Sequence, residues 1–175
     1  MTSLWRRFFG GGVPAEFTGE LDPEEHVVAT ARLRGGGHLF ASSLGLWVPT
    51  DDNGPRRVGW HLISKATWGN GTLELVEAVE TGTAGEAVLL TDQRPVRYVL
   101  EQANKLPDAV HARVNGSIRS RHRRELPGGG AWFVQRKVPG RDGVVLQVRA
   151  DPGTDEETVR RVAAEVAAKI RDALQ

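Results

Sequence analysis

Apolar and polar positions alternate with a period of two through most of the chain, and a helical rhythm replaces that alternation briefly after Pro107 and at length near the C-terminus. The pattern is strongest over residues 38–68. Within 38–48, Phe40, Ser42, Leu44, Leu46 and Val48 fall on one side of an extended backbone, and Leu39, Ala41, Ser43 and Trp47 on the other. Both sides are largely apolar, which predicts one long strand packed on two faces or wrapped round a barrel. Pro49 ends it, and Thr50-Asp51-Asp52-Asn53-Gly54-Pro55 predicts a turn. A second long strand follows to Trp68, with Val58, Trp60 and Leu62 on one face and His61 and Ile63 towards the other.

Ahead of this pair, Val27, Ala29, Ala31 and Leu33 alternate with Val28, Thr30, Arg32 and Arg34, a half-exposed strand. Gly35-Gly36-Gly37 turns it into the next strand; a phosphate cradle would need a helix after the glycines, and a strand stands there. After Trp68, Asn70-Gly71 predicts a tight hairpin into a strand over 73–78, and further turns lead to strands over 87–91 and 96–100. Roughly six or seven short strands in succession predict a closed or nearly closed antiparallel barrel. Pro107 and Asp108 open a short helix that Asn115-Gly116 ends, and its stripe of Val110 and Val114 is placed to cap one barrel end.

From Ser117 the pattern restarts, with strands predicted over 118–126, 132–138 and 144–149, joined at two glycine- and proline-rich turns. The last element is a helix. Thr154 and Glu157 read as a capping box, and Asp155 and Glu156 complement the helix dipole. Val159, Val162, Ala163, Val166, Ala167, Ile170 and Leu174 then fall on one face. The expected class is α+β: an antiparallel barrel with a capping helix, then a three-stranded antiparallel sheet and a C-terminal amphipathic helix. The expected segments are 1–19 (an N-terminal stretch and glycine joint), 20–116 and 117–175.

The order over 20–116 resembles a bacterial pleckstrin-homology-like domain of the GRAM-containing group. The residues that carry the likeness are Glu24-Glu25-His26-Val27-Val28, the run 40–48, the run from Val58 to Trp68, and the helix around Pro107 to Val114. The chain as a whole is similar to an actinobacterial type of protein, a likeness that brings no activity with it. The domain resemblance implies a PH-like barrel that binds lipid or protein and performs no chemistry. Phosphoinositide binders of that group cluster basic residues across the first hairpin, where this chain has only Arg32, Arg34 and His38, which argues against headgroup recognition there.

Composition narrows the field further. At 175 residues, with 39% hydrophobic and 26% charged, the chain is able to bury a sizeable core. The 23 basic and 22 acidic residues leave +1, so any attraction to a polyanion must come from a local patch. Cysteine is absent, which removes disulfides and thiol chemistry. No apolar run approaches the roughly 20 residues that span a bilayer, and the first residues do not form a signal peptide, so a cytoplasmic location is expected.

No catalytic motif is present, and no cofactor or metal is expected. The histidines at 26, 38, 61, 111 and 122 never pair at ligand spacing. Asp51-Asp52-Asn53-Gly54 lacks the later ligands of a calcium loop and reads as a solvated turn. His61 reads as a hydrogen-bonded structural histidine; an enzyme would require a pocket joining it to a carboxylate. Two local features remain. Trp5, Arg6, Arg7, Phe8 and Phe9 pair aromatic rings with arginine as membrane-interface segments do, and Gly10-Gly11-Gly12 joins them flexibly to the body. Arg119, Arg121 and Arg123 project from one face of a strand and are candidates for anion binding, with Arg136, Lys137 and Arg149 on neighbouring strands to extend the patch. The bland alternative is a charged edge that resists aggregation. These readings converge on a non-catalytic interaction module whose partner is a protein or an anionic membrane surface. A nucleic acid held by the same arginines is the alternative, and an enzyme whose site the sequence does not display comes third.

Overall fold

A computed structural model of the chain describes residues 13–51 and 54–175. Its elements are β1 (Val27–Leu33), β2 (His38–Ser42), β3 (Gly45–Val48), β4 (Arg56–Gly59), a 3₁₀ turn (Trp60–Leu62), β5 (Ile63–Gly69), β6 (Thr72–Ala84), β7 (Ala87–Asp92), β8 (Val96–Gln102), α1 (Leu106–Gly116), β9 (Ile118–Leu126), β10 (Gly129–Lys137), β11 (Val144–Ala150) and α2 (Glu156–Ala173). The α+β class is as expected.

Both long strands predicted for 38–68 are broken, for definable reasons. Residues 38–48 form the hairpin β2–β3, with Phe40 opposite Trp47 and Ala41 opposite Leu46. The Ser42 hydroxyl makes the turn by accepting the N–H groups of Leu44 (3.2 Å) and Gly45 (3.1 Å) while donating to Glu25 Oε1 (2.6 Å). Gly45 is obligatory there, because a Cβ on it would stand 2.3 Å from the Val58 carbonyl oxygen. The second strand is split by the 3₁₀ turn, which sends β4 to pair with β3 and β5 to pair with β6.

The predicted two-faced packing of 38–48 is realised by the hairpin. Leu39, Ala41, Leu46 and Val48 enter the first core with Trp60, Ile63, Leu73, Leu100, Leu106, Val110 and Val114. Phe40 and Trp47 turn the other way and meet Phe17 edge-on at ring distances of 5.0 and 5.1 Å. Beneath that aromatic lid, Glu25 is buried. Its carboxylate accepts Ser42 Oγ, Trp47 Nε1 (2.9 Å), the Asp22 N–H (3.0 Å) and Arg57 Nη1 (2.6 Å).

The sheet does not close, which corrects the predicted barrel. The described strands form one open sheet of eleven, in the order β4-β3-β2-β1-β8-β6-β7-β11-β10-β9 with β5 added beside β6. The thirteen-residue β6 is the reason. Its first part, to Glu77, pairs with β5 and β8, whereas its second part, from Ala78, pairs with β7 through a bulge at Glu80/Gly82. β7 in turn pairs in parallel with β11, Leu90 opposite Arg149. The predicted three-stranded sheet therefore gains β7 and the end of β6, and its core includes Ala84, Ala87 and Leu89 together with Phe133, Val148, Val159, Val162 and Ala163. α2 covers that core. Its N-cap is Asp155, which accepts the Thr158 N–H at 3.0 Å, and not the Thr154 box. The Thr154 hydroxyl instead bonds both backbone groups of Gly130 on β10. Leu174, expected on the buried face, caps the helix end and is 83% exposed. Among the described residues no helix is long and apolar enough to cross a membrane.

Candidate anion-binding face and cleft

β9 is an end strand of the sheet, so among the described residues no strand pairs its outer edge, and its side chains alternate between two accessible faces. On one of these, Arg123 stands opposite Trp132 and Arg121 opposite Val134 of β10. The guanidinium carbons of Arg121 and Arg123 lie 5.1 and 5.7 Å from the Trp132 ring centroid, within cation–π range. The indole thus holds two long cations in place that would otherwise sample many rotamers. Arg119 is exposed two residues before Arg121 on the same strand.

The three predicted arginines are not equivalent. Arg123 donates to both oxygens of Asp151 and, through Nε, to Glu125 Oε1 (3.2 Å), and that pairing pulls the Asp151 carboxyl below its usual range. Among the described residues Arg119 and Arg121 have no carboxylate within ion-pair distance. They are the cations left for an external partner.

The neighbouring basic residues do not extend the patch as a row. Arg136 alternates onto the same side as Trp132 and Val134 but is only 2% exposed. It donates from Nε to Ser117 Oγ (2.8 Å) and from Nη2 to the carbonyls of Trp60 (2.9 Å) and Ile63 (2.7 Å). The equally buried Gln147 donates to the His61 carbonyl at 2.8 Å. Carbonyls in and just after the 3₁₀ turn thus accept from β10 and β11, the Trp60 carbonyl in addition to the Ile63 N–H, and two polar side chains latch the halves of the molecule together. Burial pushes Arg136 down to about 10, with Arg149 adding repulsion. Lys137 is exposed on the opposite face, and Arg149 donates to Asp92 at 3.0 Å.

Beyond this latch the two halves diverge, and a cleft of about 870 Å³ opens between them. One wall carries Lys65 of β5 and its register partner Val76 of β6; the other carries Leu90, Arg121, Trp132 and Arg149. The Arg149 Nε is enclosed without an acceptor.

His61 lies outside this cleft lining, half-buried, with Nδ1 enclosed and unpartnered. Burial first, and then the charges of Arg136 and Arg141, lower its pKa from 6.5 to about 4. A lowered histidine pKa means that the unfolded chain binds a proton before the folded one does. His61 therefore contributes stability above pH 6.5 that is lost as pH falls towards about 4. Discounted for solvent at a half-buried ring, the loss at pH 5 is about 1 kcal/mol. Urea midpoints at pH 7 and pH 5 test this: His61→Gln should flatten the fall, and an equal fall in both proteins would rule out His61 as its source.

Trp5, Arg6, Arg7, Phe8 and Phe9, the predicted membrane-contact residues, lie outside the described residues. Among the described residues no group of three or more His, Asp or Glu side chains is placed to hold a metal ion. The roles of Glu25, Arg136 and Gln147 were not read from sequence; for Arg136 the usable signal was its alternation with Trp132 and Val134, two residues of core type. No family model, no curated protein and no solved structure matches this chain.

Proposed function

We propose that the protein is a non-catalytic interaction module of the cytoplasm that docks peripherally on an anionic membrane surface through the arginines of β9. One observation carries the reading: Arg119 and Arg121 stand exposed on an end strand without internal carboxylates, and Arg121 is held over Trp132. Guanidinium groups arranged in this way bind phosphate oxygens readily and lose little freedom in doing so. The Trp5–Phe9 run supplies rings suited to headgroup depth. The antiparallel run from β4 to β8, wrapped on one core and stoppered by α1, supports the pleckstrin-homology-like reading of the first half.

Co-sedimentation of the full chain with vesicles tests the proposal. The protein should pellet with vesicles containing anionic lipid, less so at raised salt, and not with neutral vesicles. The double variant Arg119→Glu/Arg121→Glu should lose at least ten-fold in apparent affinity at unchanged thermal stability. Pelleting that is indifferent to those two charges would sink the proposal. The second reading, single-stranded nucleic acid, draws on the Trp132 ring between Arg121 and Arg123. It predicts binding to oligonucleotides that survives removal of residues 1–12.

A further inference from the structure

The cleft between the halves has a chemistry of its own. Its volume of about 870 Å³ is in the range that encloses a small ligand, and it lies at a junction between packed units, where such sites concentrate. Its walls join apolar surface from Val76, Leu90 and Trp132 to cationic donors from three different strands, and the three carboxylates of the lining, Asp92, Asp151 and Glu156, are each paired with an arginine (Arg149, Arg123 and Arg160). Arg149 of β11 is 13% exposed and spends Nη1 on the Asp92 carboxylate (3.0 and 3.3 Å), which leaves its buried Nε with no acceptor. Arg121 of β9 is steadied by the indole. Lys65 faces them from β5, and among the described residues neither Lys65 nor Arg121 has a carboxylate partner.

Two uncompensated cations on facing walls, with a spare guanidinium N–H beside them, match a compact dianion better than a single carboxylate. We propose that this cleft binds a small phosphate monoester, its phosphoryl oxygens held by Lys65, Arg121 and the Arg149 Nε and its organic part lying against Val76, Leu90 and Trp132. A phosphate monoester carries between about −1.5 and −2 near neutral pH and presents three acceptor oxygens, which fits this donor set. The site goes beyond the docking of the β9 arginines on a surface and shares only Arg121 with it. Lys65 and Arg149 belong to the cleft, whereas Arg119 does not line it.

Calorimetric titration of the full chain with inorganic phosphate, glycerol 3-phosphate and a nucleoside monophosphate tests the site. At least one should bind saturably, one to one, and raise the melting temperature. Equal binding of inorganic phosphate would identify the free ion as occupant, and tighter binding of an ester would identify the organic part as recognised. Lys65→Glu, a change at an exposed position, should weaken binding at least ten-fold with the melting temperature of the free protein unchanged. Arg149→Lys, which keeps the charge and removes the Nε donor, should weaken it less. Lys65→Glu should still pellet with anionic vesicles, and Arg119→Glu should still bind the phosphate ester, so failure of one reading is separable from failure of the other. Absence of saturable binding for all three compounds at millimolar concentration, or binding indifferent to both Lys65→Glu and Arg149→Lys, would overturn the proposal.

Discussion

Replacing Arg136 with methionine is expected to destabilise the protein by about 3 kcal/mol and to loosen the two halves from each other. Methionine fills much of the space of the arginine stem, so packing loss is small. The Ile63 carbonyl and the Ser117 hydroxyl, however, lose the Arg136 donor in a buried site, and the Trp60 carbonyl keeps only the Ile63 N–H. Each buried acceptor left unmet costs about 1–3 kcal/mol. Relief from burying a guanidinium without a carboxylate offsets part of this, as its lowered pKa of about 10 indicates. The acceptors win because all three draw a donor from the same buried side chain. Urea unfolding followed at two probes, one in each half, gives the outcome: transitions that coincide in the parent should separate in Arg136→Met. A loss below about 1 kcal/mol with coincident transitions would mean that apolar packing alone joins the halves.

Glu25→Ala is the second large effect, again about 3 kcal/mol. The Glu25 side chain is fully enclosed, and four donors converge on it from residues 22, 42, 47 and 57. Its removal strands the Trp47 indole N–H and leaves the Ser42 hydroxyl only the Gly45 carbonyl to donate to, which weakens the turn that makes β2 and β3 a hairpin. The carboxyl also gives this variant a pH signature. Burial raises its pKa, but the hydrogen bonds from Ser42, Asp22 and Trp47 and the charge of Arg57 outweigh burial and lower it below 4.5. A lowered carboxyl pKa gives stability that is present above 4.5 and lost as pH falls through the folded value. The parent should therefore lose stability in that acid range more steeply than Glu25→Ala, at lower pH than the loss from His61. Equal slopes below pH 4.5 would place the acid sensitivity elsewhere.

Local signals in the sequence were read well where a turn is written in the residues that make it. Asn70 and Gly71, with φ of 51° and 72°, both adopt the left-handed conformation that their pairing implies, and β5 and β6 meet there. The boundaries of β9 and the apolar face of α2 are equally legible, because alternation and helical spacing act over a few residues. What failed was decided at a distance. The turn at Ser43–Leu44 depends on Glu25, seventeen residues upstream of Ser42, and on a Val58 carbonyl that leaves no space for a side chain at position 45. Without those partners, residues 38–48 read as one strand. The parallel pairing of β7 with β11 crosses more than fifty residues, and nothing in either strand announces it. Charge usually means exposure, which is why the sequence places Arg136 in a surface patch; Arg136 and Glu25 each have enough partners to remain inside. The arginines of β9 are visible as a row, but Asp151, which takes both terminal nitrogens of Arg123, comes from a turn twenty-eight residues on.

Hydrogen exchange of the full chain, with and without vesicles containing anionic lipid, tests the docking face most directly. The outer amides of β9, which no described strand pairs, should be protected on binding, and the protection should vanish in Arg119→Glu/Arg121→Glu. Protection confined to the first hairpin around Arg32, Arg34 and His38, with β9 unchanged, would contradict the account and return headgroup recognition to the position where the basic residues are sparsest.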